Sequence, residues 1–144
     1  ANFINGELWG RPTTQSWGVI FPDPAAQVCP AEFGEMCARH PSQLYQASME
    51  GLILFALIAL AVWRGGALRT PGRVIGLFFL GYGIARMIGE GFRMADPQFI
   101  TAQNPWGHVI PLGGDWGLTM GQTLSLPMIL IGLLVLLLRR PAKQ

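Results

Sequence analysis

The chain has 144 residues, of which 51% are hydrophobic and 12% are charged, and its formal net charge is +2. A soluble domain carries about 25% charged residues, so this deficit indicates that lipid is the solvent. The chain is too apolar to be disordered, and a charge of +2 gives no reason to expect a nucleic-acid partner.

The chain begins with a polar segment, residues 1–10, followed by a proline-rich one, residues 11–41. Asn2, Asn5 and Glu7 can both donate hydrogen bonds to a polar headgroup and accept them from it. A capped turn is the alternative for this first segment. The five prolines of the second segment predict an irregular loop.

The two cysteines, Cys29 and Cys37, lie in this loop. A disulfide between them is possible, and the residues leave that question open. A pair separated by seven residues and followed by His40 is a poor zinc pattern, which would need closer cysteines. We therefore expect no metal site, and no cofactor is predicted.

Three apolar stretches are predicted to be transmembrane helices, at residues 43–63, 72–93 and 121–138. The middle stretch is about 31 Å long at 1.5 Å per residue, which matches the hydrocarbon core of a bilayer. Buried helices of a soluble protein are the alternative, but they seldom run this long with so little charge. The predicted fold is an all-α polytopic membrane protein.

The loop charges predict how the spans are oriented, because cytoplasmic loops carry an excess of Lys and Arg. Basic residues without acids occupy the turn between the first two spans and the tail, whereas residues 11–41 and 94–120 contain acids. We expect the two acidic loops to face outward and the C-terminus to face the cytoplasm. The basic residues are Arg64, Arg69, Arg73, Arg139, Arg140 and Lys143.

One face of the second predicted span is polar. Tyr82, Arg86 and Glu90 are four residues apart and Arg93 follows three later, so all four share a helical face near the outer leaflet. An arginine at membrane depth costs about 2.5–3.5 kcal/mol on insertion scales, which makes it a site candidate. Snorkelling to the interface is the alternative, and it suits Arg93 better than the deeper Arg86.

A guanidinium at this level suits a phosphate, because it offers two parallel donors and keeps its charge. Glu90 can orient that fork, so the face predicts recognition of a phospholipid headgroup. His40 and Gln43 gather at the predicted start of the first span. For a lone histidine, helix capping and packing is a more common role than catalysis.

Four blocks of the sequence resemble motifs of the prolipoprotein diacylglyceryl transferase family. These motifs lie in the C-terminal half of the family's proteins, and the blocks occur in the same order. Together they extend over nearly the whole chain. The blocks are Asn-Phe-Ile-Asn-Gly-Glu-Leu-Trp-Gly at 2–10, Arg-His-Pro-Ser-Gln-Leu-Tyr at 39–45, Gly-Tyr-Gly at 81–83 with Arg86, Glu90, Phe92 and Arg93, and Met-Gly-Gln at 120–122 with Leu124, Ser125, Pro127 and Met128.

The resemblance implies an enzyme of the bacterial inner membrane that transfers diacylglyceryl from phosphatidylglycerol to the lipobox cysteine of prolipoproteins, releasing glycerol phosphate. Its site would face the periplasm, so the outward loops would form a periplasmic loop or head. Arg86, Glu90 and Glu7 are then expected to be catalytic. The residues expected to bind phospholipid are Asn2, Asn5, Gly10, Tyr82, Arg93, His40 and Gln43.

The resemblance also implies a missing partner. The family's signature begins with a Gly-Arg just ahead of the asparagine, and its candidate catalytic histidine belongs to the N-terminal half. We expect that half to be absent from the chain, which would then be the C-terminal part of one membrane domain and inactive unaided. A phospholipid transporter or flippase subunit is the principal alternative, because it would use the same arginines and glycine-rich helices.

Overall fold

The computed structural model describes residues 2–113 and 116–138. Its principal elements are three helices long and apolar enough to cross a membrane, in agreement with the predicted helical membrane protein. They are α1 (Ser42–Trp63), α2 (Arg73–Phe92) and α3 (Met120–Leu138). The loops contain 3-10 turns at Pro24–Gln27, Ala31–Phe33, Ala67–Arg69 and Pro97–Phe99.

One element departs from the all-α prediction. The loop of residues 94–120 contains an antiparallel hairpin of β1 (Ile110–Gly113) and β2 (Trp116–Leu118). Strands of four and three residues are too short to show a clear period-two pattern in the sequence. Gly113 bends the chain with a φ of +115°, which glycine adopts without strain.

Helices α2 and α3 pack closely because small residues line their contact. A side-chain carbon added at Gly132 would lie 2.5 Å from the backbone nitrogen of Leu80 and 2.9 Å from the carbonyl oxygen of Gly76. At Gly76 itself the added carbon would lie 2.9 Å from Leu136. Such close approach is typical of glycines between membrane helices, where association depends on packing rather than on water exclusion.

Helix α1 is irregular in its N-terminal half. Residues Ala47–Ile53 form a π-helical stretch, which is wider than an α-helical turn and is often found at functional sites. The helix contacts α2 at two glycines. Leu54 packs over Gly81, and the side chain of Gln46 lies against Gly89. The polar residue Gln46, near the start of α1, therefore lies against the polar C-terminal end of α2.

Helix α3 begins with a reciprocal cap. The Thr119 hydroxyl accepts a hydrogen bond from the backbone of Gln122 (3.4 Å), and the Gln122 carboxamide accepts one from the backbone of Thr119 (3.1 Å). This capping box satisfies two amides that the first helical turn leaves free. Gln122 also donates to the carbonyl of Met87 (3.4 Å), which ties the start of α3 to α2.

The loop of residues 11–41 is organised around Arg39, whose relative exposure is 0%. Its guanidinium donates to the carbonyl oxygens of Ala26 (2.6 Å), Val28 (3.0 Å) and Gly10 (3.2 Å). Burial lowers the pKa of Arg39 from its ordinary value, but an arginine still remains charged. One buried side chain thus joins the first segment, the loop and the start of α1.

The same loop contains a disulfide between Cys29 and Cys37. This closes the question that the sequence left open. The Cys37 backbone amide also donates to the side chain of Gln27 (3.2 Å), so the bridge and a polar side chain stabilise one compact turn.

The first segment lies between the start of α1 and the end of α2. Gly10 donates to the carbonyl of His40 (2.9 Å), and Arg11 donates to the carbonyl of Phe92 (3.0 Å). A side-chain carbon at Gly10 would collide with both carbonyls, so glycine is required by close packing. The basic tail residues Arg139, Arg140 and Lys143, on which the orientation prediction partly rests, lie outside the described residues.

We predict that Arg39→Met lowers the free energy of unfolding of the detergent-solubilised protein by about 3 kcal/mol, because it removes the donor from three backbone carbonyl groups, two of which belong to the buried residues Gly10 and Ala26. Thermal or denaturant unfolding measures this loss. Arg69→Met, exposed in the turn between α1 and α2, is the matched control and should change stability by less than about 0.5 kcal/mol. Equal effects of the two substitutions would contradict a structural role for Arg39.

Candidate functional site

The predicted polar face of α2 forms an ion-pair cluster with α1. The guanidinium of Arg86 lies 3.7 Å from Glu50 of α1 and 3.6 Å from Glu90 of its own helix. Arg93 lies 3.7 Å from Glu90 and 3.1 Å from Asp96. Three of the residues predicted from the sequence, Arg86, Glu90 and Arg93, are thus brought together.

Arg86 is held by charge without being saturated by hydrogen bonds. Among residues 2–113 and 116–138, no hydrogen bond involves its guanidinium, and both of its ion pairs exceed the usual hydrogen-bond distance of about 2.7–2.9 Å for charged partners. Its side chain is 26% exposed. The arginine therefore has donors to offer a ligand, at a depth of about 9 Å from the end of α2.

Glu90 is the most buried member of the cluster. Its exposure is 4%, and its carboxylate lies against Gly121 at the start of α3. A side-chain carbon at Gly121 would lie 2.5 Å from the Glu90 carboxyl carbon. The Met-Gly-Gln block at 120–122 therefore supplies both the helix cap and the space that Glu90 occupies.

Arg11 adds a further positive charge at the Arg93 end of the cluster. Burial lowers its pKa from the ordinary value, while the nearby Glu90 carboxylate acts in the opposite direction. Its guanidinium donates to the carbonyl of Arg93 (3.3 Å) and lies 4.6 Å from the ring centre of Trp106. Arg11 is not among the site residues predicted from the sequence, because its proximity to Glu90 comes from the fold.

Glu50 and Gln46 also lie at the cluster and were not among the site residues predicted from the sequence. A signal for them exists, because Gln43, Gln46 and Glu50 are spaced three and four apart and thus share one helical face. An acid inside a predicted span is a site candidate by default. In the structure Glu50 meets Arg86, and Tyr82 also faces the Glu50 carboxylate.

His40 lies in an aromatic group beside the cluster. Its ring contacts Phe92 edge-on at 5.4 Å, and its Nδ1 is 3.1 Å from the Tyr45 hydroxyl, which accepts a hydrogen bond from Trp17 (2.8 Å). Burial lowers the pKa of His40, so the ring is neutral at pH 7 and Nδ1 can accept the tyrosine proton. This arrangement fits the packing role that the sequence favoured.

Other predicted residues lie around rather than within the cluster. Gln43 donates from its side chain to the backbone carbonyl of Glu7. The side chains of Asn2, Asn5 and Glu7 are exposed. Within the described part of the chain, no hydrogen bond or ion pair joins these three side chains to Arg86 or Glu90.

A cavity of about 790 Å³ opens between the loop of residues 11–41 and the loop of residues 94–120. Its walls are mostly apolar and include Phe92 and Trp106, and its charged or polar members include Arg11, Glu32, Arg39 and His40. It therefore lies next to the end of the cluster formed by Arg93 and Arg11. In residues 2–113 and 116–138, no group of three His, Cys, Asp or Glu side chains is placed to hold a metal ion.

The sequence pattern of the prolipoprotein diacylglyceryl transferase family matches residues 1–138. A protein of Cereibacter sphaeroides named phosphatidylglycerol–prolipoprotein diacylglyceryl transferase is 59% identical to this chain, over 97% of this chain and 47% of the relative. The protein of that name from Ruegeria pomeroyi is 58% identical, over 92% of this chain and 44% of the relative. The protein of that name from Rhodospirillum centenum is 47% identical, over 94% of this chain and 42% of the relative.

The chain thus spans about half the length of the curated relatives it matches. All three relatives are named as transferases, so the alternative of a transporter subunit is not favoured. No solved structure matches the chain.

We predict that Gly121→Ala displaces the Glu90 carboxylate and lowers the unfolding temperature of the solubilised protein by several degrees, because the added methyl group would occupy the carboxylate's place. Gly91→Ala, one residue beyond Glu90, is the control, since a side-chain carbon there meets nothing within 4 Å. The claim that Gly121 makes room for Glu90 fails if both substitutions leave the unfolding temperature unchanged.

Proposed function

The chain belongs to the prolipoprotein diacylglyceryl transferase family, and we propose that, within the full-length protein, it helps transfer the diacylglyceryl group of phosphatidylglycerol to a prolipoprotein cysteine. The observation that carries this proposal is Arg86, a partly buried arginine held between Glu50 and Glu90 with its hydrogen-bond donors available. A guanidinium so placed suits the phosphate of a lipid in the outer leaflet.

The proposed reaction is a direct displacement at carbon. The thiolate of the lipobox cysteine attacks the diacylglycerol carbon that bears the phosphate, and a carbon–sulfur bond forms as the carbon–oxygen bond breaks. The electron pair leaves with the phosphate oxygen, so glycerol phosphate is released with added negative charge. Arg86 stabilises that charge, and Glu90 keeps the guanidinium in position.

The nucleophile in this mechanism comes from the substrate. Thiolate is the reactive form of cysteine, and the two cysteines of this chain are joined in a disulfide. Neither Cys29 nor Cys37 therefore has a thiol to accept the lipid first. The proton of the substrate thiol must pass to a base, which we place in the N-terminal half of the protein.

The remaining predicted residues take supporting roles in this proposal. Arg93 and Tyr82 flank Arg86 along α2 and extend the polar face toward the headgroup. His40 and Gln43 shape the rim at the start of α1, and Gln43 holds the backbone at Glu7.

The first segment would complete the site from outside. Asn2, Asn5 and Glu7 are exposed on it, and we propose that they face the N-terminal half, with Glu7 acting in catalysis. Gly10, also expected to bind phospholipid, is buried between the backbones of His40 and Phe92 and sets the position of the segment.

We propose that the protein is a multi-pass protein of the bacterial inner membrane. The Arg64–Arg73 turn and the C-terminus lie in the cytoplasm, and the disulfide loop and the hairpin form the periplasmic side. Three observations support this orientation: the basic inner turn, the acidic loops and the disulfide, which forms in oxidising compartments. The cavity lined by Arg11 and Phe92 then opens toward the periplasm, where a lipobox segment could approach.

We predict that Arg86→Lys in the full-length protein lowers transfer by roughly 100-fold, because lysine keeps the charge but loses the two parallel donors. The assay measures glycerol phosphate released from phosphatidylglycerol in the presence of a lipobox peptide. Arg64→Lys in the inner turn is the control and should retain activity. Near-normal transfer by Arg86→Ala would remove this residue from the mechanism.

The orientation is tested by labelling single added cysteines in intact cells with a membrane-impermeant maleimide, since the native pair is bridged. Ser16→Cys, exposed in the outer loop, should be labelled, whereas Leu68→Cys, 74% exposed in the inner turn, should not. The reverse pattern would place the cluster at the opposite leaflet and contradict the proposed localisation.

A further inference from the structure

Three polar residues in the first part of α1, Gln43, Gln46 and Glu50, face the arginine cluster, and each has an atom that makes no hydrogen bond in the described part of the chain. Gln43 Oε1, Gln46 Nε2 and Glu50 Oε1 are all buried and make no hydrogen bond among the described residues, although Glu50 Oε1 lies 3.7 Å from the Arg86 guanidinium. Glu90 Oε2, in a side chain that is 6% exposed, is likewise buried and makes no hydrogen bond among the described residues. Buried polar atoms without partners are rare in proteins, so several of them in one place indicate a ligand.

Three of these four atoms do not suit the phosphate itself. Two belong to carboxylates and one to an amide carbonyl, and all three are acceptors, as the phosphate oxygens are, whereas Gln46 Nε2 is a donor. A phosphate opposite Glu50 would also meet a like charge. The phosphate therefore belongs with the free donors of Arg86, and a different part of the ligand must face Glu50.

A cationic headgroup is not favoured either. Glu50, Glu90 and Asp96 are each within ion-pair distance of an arginine, and together with Arg86, Arg93 and the nearby Arg11 these three acids and three bases sum to zero charge. An ammonium group would add a fourth cation where the carboxylates are already neutralised. A neutral hydroxyl group, which both donates and accepts, matches the mixed set of Glu50 Oε1 and Gln46 Nε2.

We infer that Glu50 and Gln46 form a subsite for the hydroxyl groups of the glycerol headgroup. This inference rests on the proposed function and adds the determinant of its lipid specificity. One hydroxyl donates to Glu50 Oε1 and accepts from Gln46 Nε2, while the phosphate lies on Arg86. A site built to hydrogen-bond a hydroxyl rejects analogues that lack it, because its own polar groups are then left unpaired.

The local structure fits this role. Glu50 lies in the middle of the π-helical stretch of α1, and Gln46 directly precedes that stretch. The Gln46 side chain lies against Gly89 of α2, one residue from Glu90 and one turn from Arg86. The subsite and the phosphate-binding arginine are therefore neighbours, as the two ends of a glycerol phosphate group require.

The test compares three lipids in the full-length protein: phosphatidylglycerol, phosphatidylpropanol, which lacks both headgroup hydroxyls, and phosphatidylethanolamine. The variants are Gln46→Leu and Glu50→Gln, with Ser48→Ala as the matched control on the exposed side of the same stretch. We expect Gln46→Leu to lower kcat/KM for phosphatidylglycerol about tenfold and to leave the already low value for phosphatidylpropanol within about twofold. Glu50→Gln should likewise reduce the preference between these lipids, and Ser48→Ala should not.

The outcomes separate this inference from the proposed function. Equal transfer from phosphatidylglycerol and phosphatidylpropanol by the unaltered protein would overturn the subsite and leave the transferase intact. So would a parallel fall for both lipids in Gln46→Leu and Glu50→Gln, or a preference for phosphatidylethanolamine. If the unaltered protein transferred diacylglyceryl from none of the three, the proposed function itself would fail.

Discussion

The charge of Arg86 is the constraint on which the arrangement of the helices depends. An arginine at this depth is unfavourable in lipid unless carboxylates compensate it, and the structure supplies Glu50 from α1 and Glu90 from α2. Glu90 in turn needs space, which Gly121 at the start of α3 provides. The partly buried charge of Arg86 thus depends on contacts from all three helices. A change in any of these contacts would alter the position of the Arg86 guanidinium.

Outside the helices, a second arginine, Arg39, also joins separate segments, and its partners are backbone carbonyl groups instead of carboxylates. Arg39 donates to carbonyls of the first segment and of the disulfide loop, and the neighbouring His40 and Phe92 bind the backbone of Gly10 and Arg11. These contacts hold the first segment against the start of α1 and the end of α2. The polar side chains of that segment are therefore presented at the rim of the cluster, where a substrate and the rest of the protein could meet them.

The sequence predicted the features that depend on local pattern. The three spans follow from apolar stretches, and the joint position of Arg86, Glu90 and Arg93 follows from their spacing on one helix. The features that it did not predict depend on contacts between distant segments. Glu50 and Arg86 pair between two different helices, and Arg11 is brought near Glu90 by the fold. The burial of Arg39 cannot be inferred from a charged residue in a polar loop.

The central claim, that Arg86 binds the lipid phosphate, is tested most directly by a cryo-electron microscopy structure of the full-length protein in nanodiscs of phosphatidylglycerol. The account predicts a lipid whose phosphate accepts hydrogen bonds from the Arg86 guanidinium, which stays flanked by Glu50 and Glu90. An ordered lipid with its phosphate on other residues, and Arg86 engaged only by its two glutamates, would contradict it.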